Sequence, residues 1–198
     1  MTTLTLARLA GASILTLALA GCMDVDMTID VTSETEAEAT MVTSMAADIY
    51  QMMAAQAPED QEEFCAEGEL IESAELIECR VVQSGTFDEL DFDTEGEGDG
   101  PSIEAVGGGQ VRVAFPTGDI AESLAEDTGA QDDPQMQAMI TQMFEGHAIT
   151  MTVSGGTIAD TNMEVAADGM SATYEIPFVD LIGGDVELPE EIYAVVQK

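Results

Sequence analysis

Directly after Cys22 the chain alternates between apolar and polar residues: Met23, Val25, Met27, Ile29 and Val31 interleave with Asp24, Asp26, Thr28, Asp30 and Thr32. A period of two is that of a half-buried strand. Ser33-Glu34-Thr35 turns the chain, and Ala37, Ala39 and Met41 resume the alternation, which predicts a β-hairpin. Beyond it Met45, Ile49, Met52 and Met53 fall on one helical face among helix-favouring Ala and Gln. Pro58-Glu59-Asp60 opens a turn or short helix toward Phe64 and Cys65, and the stretch from Glu75 to Phe87 is strand-like around Cys79–Val82. Asp91 to Gly100 is almost wholly acid and glycine and predicts a loop. Ser102–Val106 and Gln110–Phe115 flank Gly107-Gly108-Gly109 as a second hairpin.

Two helices are predicted next, over 119–126 and from Pro134 to Gly146. The second carries an apolar stripe of Met136, Met139, Ile140, Met143 and Phe144. The remainder returns to strands. His147–Val153 leads to Gly155-Gly156, and Thr161–Ala167 meets Met170–Ile176 across Asp168-Gly169. Pro189-Glu190-Glu191 could open a terminal helix, although Ile192–Val196 also suits a strand. Hairpins separated by helices predict an α+β fold, a twisted antiparallel sheet with amphipathic helices packed on one face.

The segment ahead of the first strand changes the functional picture. Leu9 to Ala20 is an uncharged run of 12 residues behind Arg8, and it ends in Leu19-Ala20-Gly21-Cys22. Crossing a bilayer takes about 20 apolar residues in a helix, whereas a secretory apolar region takes about 7–15. Small residues ending in cysteine have the form of a lipobox. Residues 1–21 therefore read as a cleaved lipoprotein signal peptide, with 22–198 as a single envelope domain acylated at Cys22. Two or three acyl chains meet the requirement of more than one lipid signal for stable anchoring. Met23, rather than aspartate, follows the cysteine; by analogy with enterobacterial sorting this points to the outer membrane, facing the periplasm.

Charge narrows the partners. The chain holds 40 Asp+Glu against 4 Lys+Arg, a formal net charge of −36. Arg8 leaves with the leader, so Arg80, Arg112 and Lys198 are the remaining cations. Such a surface excludes nucleic acid, which demands a basic footprint. Hydrophobic residues at 45% and a mean hydropathy of +0.09 supply a core all the same. Solubility in a salty medium accounts for the excess of acid. Cys65 and Cys79 are an even pair, and in an oxidising periplasm they would close a loop of about 15 residues with a disulfide worth roughly 3 kcal/mol. A metal site and two free thiols are the competing readings, although one histidine and two thiols make a poor zinc set.

The lipobox followed at once by a strand hairpin and helix resembles the LppM-like bacterial lipoproteins. So does Gly155-Gly156-Thr157-Ile158-Ala159-Asp160-Thr161-Asn162 with Asp168-Gly169-Met170-Ser171-Ala172-Thr173-Tyr174. The resemblance implies an envelope α+β domain that binds lipid or another hydrophobic ligand, and it supplies no catalytic residues. Of the 13 methionines, Met45, Met52, Met53, Met136, Met139 and Met143 are candidates for an adaptable apolar groove, with core filling as the plainer reading. Asp91, Asp93 and Glu95 before Gly96 match the first half of a calcium loop, but Ser102 occupies the place of the bidentate glutamate, so a solvated loop competes. His147 is the one base titrating near neutrality; it opens a strand, and no serine sits in a nucleophile elbow. The expectation is a non-enzymatic, membrane-anchored binding or assembly module with no cofactor, its partners being the membrane and a lipid or envelope protein. The alternative is a calcium-responsive acidic surface protein.

Overall fold

A computed structural model describes residues 23–56, 64–66, 68–90, 100–118, 141–142, 144–183 and 187–198. The alternation after Cys22 forms β1 (Met23–Val31), which pairs antiparallel with β2 (Glu36–Ala46) from Met23↔Met45 to Val31↔Ala37. The Thr32 and Ser33 amides donate to the Glu36 carbonyl and close the turn between them. Helix α1 (Ala47–Gln56) follows β2 without a break. Then come β3 (Glu69–Glu72) and β4 (Leu76–Thr86), a hairpin added to the free side of β2. Only the second of those strands is foreseen from sequence.

The triple glycine joins β5 (Ser102–Gly107) to β6 (Gln110–Pro116), as predicted. The rest comprises β7 (Ala148–Ser154), β8 (Thr157–Thr161), β9 (Glu164–Val165), β10 (Ser171–Pro177), a short helix α2 (Phe178–Gly183) and β11 (Glu191–Gln197). The terminal segment is thus a strand, with Ile192, Ala194 and Val196 sealed on one face. The short β9 pairs with β10 across the Asp168-Gly169 turn.

The strands make two sheets rather than one. Seven strands run in the order β3-β4-β2-β1-β7-β10-β9, and four in the order β5-β6-β11-β8. Among the described residues every pairing is antiparallel except β1 with β7, whose register runs from Val25↔Ile149 to Asp30↔Ser154. One face of the large sheet contributes Ile29, Val31, Ala37, Met151, Val153, Ala172 and Ile176 to a core shared with Val111, Val113, Phe115, Ile192, Ala194 and Val196 of the small sheet. Among the described residues the α+β class stands with a small helical share, and their main cover on the inner face is the second sheet; the helix predicted over 119–126 lies outside them, as does most of the one predicted from Pro134 to Gly146. That cover is apolar because β6 and β11 are sealed at every second position.

Gly155-Gly156 is where the chain leaves the large sheet after β7 and enters the small one at β8. Gly155 has φ +103°, and a Cβ there would collide with the Val31 backbone. A Cβ on Gly156 would collide with the Gln197 carbonyl in the same way. Only glycine permits so close a crossing.

Candidate functional site

The end of the large sheet where β1 begins is the part of the domain adjoining Cys22. There Met23, Met45 and Ile77 form one row across β1, β2 and β4 on the inner face. Met45 and Ile77 are buried, as is Ala47, and Met23, Tyr50, Met53 and Phe64 pack against them. The rings of Tyr50 and Phe64 lie 5.9 Å apart at 58°. Phe64 is brought in by its neighbour: Cys65 is bonded to Cys79 of β4, Sγ to Sγ at 2.06 Å with the Cα atoms 5.3 Å apart. The expected disulfide is therefore present, and it fastens the 64–66 turn over the sheet beside α1.

This geometry corrects one placement. Met45 belongs to β2, not to the helical face with Ile49, Met52 and Met53, because β2 continues to Ala46 and pairs Met45 on both sides. The inner face of α1 is instead Ala47, Tyr50 and Met53, spaced by three, while Met52 is 49% exposed. The remaining methionines of the proposed groove, Met136, Met139 and Met143, lie outside the described residues, as do Cys22 and the acidic Asp91, Asp93 and Glu95. Among the described residues no three His, Cys, Asp or Glu side chains gather as a metal set.

On the polar side of the same end Asp24 joins β1 to β7. Its Oδ1 accepts the Ala148 amide at 3.0 Å, and its Oδ2 lies 3.2 Å from His147 Nδ1. The backbone of His147 is also engaged, its amide donating to Phe144 and its carbonyl accepting from Phe178. His147 thus serves as a fastener at the head of β7. Tyr50, Phe64, Ile77 and Asp24 are the residues of this end that sequence reasoning missed. The spacing of Tyr50 and Met53 was the available signal for the first.

The opposite end is held by polar groups. Lys198 donates its Nζ to the carbonyls of Val31 and Gly155, and its amide donates to Gly109. On the small sheet Arg112 pairs with Glu191 at 2.6 Å and lies 4.8 Å from the centre of the Tyr193 ring. The Tyr193 hydroxyl donates to Asp160 at 3.1 Å. That hydrogen bond, and then the Asp160 charge, push the phenol above its ordinary value. Glu89 is lowered because the Thr86 amide and then its hydroxyl donate to the carboxylate, capping the turn 87–89. Arg112 and Lys198, two of the three Lys and Arg side chains among the described residues, are therefore built into the fold.

Among the described residues no helix is long and apolar enough to cross a membrane. No family model and no curated protein matches the chain. Among solved structures it is similar to the NMR structure of the folded domain of LppM from Mycobacterium tuberculosis, at 11% identity and a TM-score of 0.47, over 89% of this chain and 90% of that one. The likeness is weak.

Proposed function

We propose that the chain is an acylated envelope lipoprotein whose folded domain acts as a non-enzymatic binding or assembly module at the membrane surface. In this reading residues 1–21 are removed and Cys22 carries the lipid. The domain faces the periplasm, from the outer membrane by the Met23 analogy, and a lipid or envelope protein is its partner. The observation that carries the reading is the junction itself. The lipobox cysteine is followed at once by Met23, the first residue of a nine-residue strand. The Cys65–Cys79 disulfide supports export to an oxidising compartment.

The test is mass spectrometry of the protein extracted from membranes of a bacterial host. A mature N-terminal peptide beginning at Cys22 with a diacylglyceryl group is expected. Cys22→Ser is expected to remain uncleaved and unacylated. An unmodified, uncleaved wild-type chain would overturn the reading.

A further inference from the structure

We propose that the end of the large sheet bearing Met23, Leu76 and Met52 rests on the bilayer, making contact with a zwitterionic headgroup layer. The inference depends on the anchoring reading and adds to it an orientation and a contact surface. Its first support is reach. One extended residue advances the chain by about 3.3–3.6 Å, so a lipid on Cys22 holds the start of β1 within a residue or two of the membrane. Anchored domains on disordered linkers sample distances many times greater. Here some surface at the β1 end has to face lipid.

The second support is what that surface offers. Leu76 opens β4, opposite Ala46, and is 37% exposed on the outer face of the sheet. Met52, 49% exposed, stands on the helix that covers the inner face. Met23 is half-buried between them. The rim thus carries an exposed apolar residue on each side of the sheet. At the far end the same strands finish in the Thr32–Thr35 turn and the carbonyls held by Lys198. Charge then selects the lipid. Asp24 follows Met23, Glu75 and Glu78 flank Leu76 in sequence, and Asp48 stands in the first turn of the helix that bears Met52. Acids so close to the rim are repelled by anionic headgroups and tolerated by zwitterionic ones.

The chain has no tryptophan, so one introduced indole reports one place. Leu76→Trp is compared with Val106→Trp, the latter at an exposed position beside the triple-glycine turn of the far end. Each acylated, full-length protein is reconstituted in phosphatidylcholine vesicles with brominated acyl chains. Several-fold greater quenching at position 76 than at 106 is expected, weakening when phosphatidylglycerol is added. If Leu76→Trp does not fold, Met52→Trp takes its place. Equal quenching at the two positions, or none at position 76, in samples whose Cys22 acylation is verified by mass spectrometry would overturn the orientation and leave the anchoring reading intact. Stronger quenching in anionic vesicles would overturn the choice of lipid. Wild-type protein without acyl chains on Cys22 would remove both.

Discussion

The inner face of β1 feeds two different cores. Ile29 and Val31 are wholly sealed between two sheets, among side chains from β2, β6, β7, β10 and β11. Met23, at the start of the same strand, meets Met45 and Ile77 under a ten-residue helix and a disulfide-bound turn. The first region is closed by strands on both sides, β6 and β11 being sealed at every second position. The second is closed by pieces too short to order themselves: isolated helices below about 12–15 residues are marginal in water. A covalent link stands where apolar area is scarce. Sheet-on-sheet burial sustains itself, whereas the end of the sheet nearest Cys22 needs a staple to keep α1 and Phe64 in place.

The largest effect is expected where the two sheets are joined. Gly155→Ala places a methyl group against the Val31 backbone at a positive φ that alanine resists. Because Val31 is the last residue of β1, the clash strikes the large core and the crossover into β8 together. The loss should exceed the roughly 2–5 kcal/mol of a buried large-to-alanine truncation. Urea unfolding followed by circular dichroism should show little or no cooperative transition. A midpoint close to wild type would mean that the large core does not depend on this crossing.

Much of the large region was legible because its hairpins are local. Met23–Val31 shows strict alternation, and Gly107-Gly108-Gly109 and Asp168-Gly169 mark turns with φ-positive glycines at Gly107, Gly108, Gly109 and Gly169. The pairing of β1 with β7 was not legible, since Val25 and Ile149 are joined only by tertiary packing. Nor was β3, whose Glu69-Leu70-Ile71-Glu72 is too short and too acidic for a period to declare itself. Met45 shows the opposite difficulty. Met41, Thr43 and Met45 continue the strand, while Met45, Ile49 and Met52 also suit a helix, and pairing with Ile77 decided between them. At the candidate site, Cys65 and Cys79 were readable from cysteine chemistry alone. Tyr50, Phe64 and Ile77 come from three separate segments, so their convergence has no local signature.

A second, intermediate effect separates the regions. Replacing both cysteines, Cys65→Ser with Cys79→Ser, should cost roughly 3 kcal/mol by loop entropy. The loss should be concentrated at the Cys22 end. Hydrogen exchange is expected to rise in α1, in the 64–66 turn and at the start of β4, with β6, β7 and β11 keeping their protection. A uniform rise across both sheets would show that the two cores unfold as one unit and that the staple serves the whole domain.

The smallest effect is a pH dependence belonging to the large region alone. The Tyr193 phenol is raised above 10.0 because it donates to Asp160 and lies in that carboxylate's field. A raised pKa means that the folded state favours the protonated phenol. Its contribution is therefore complete below the ordinary tyrosine value and is lost as pH rises through the higher folded value. Urea midpoints should place wild type above Tyr193→Phe at neutral pH, with the gap closing in the alkaline range. Asp160→Asn should remove the charge and lower the pH at which that last tyrosine ionises. Exchange rates in α1 relative to β11 should be the same in Tyr193→Phe as in wild type at neutral pH, because Tyr193 lies on the small sheet and Tyr50 and Phe64 of the second region do not touch it. A gap that persists into strong alkali would show that packing under the Arg112 guanidinium, and not the hydrogen bond to Asp160, is what Tyr193 contributes.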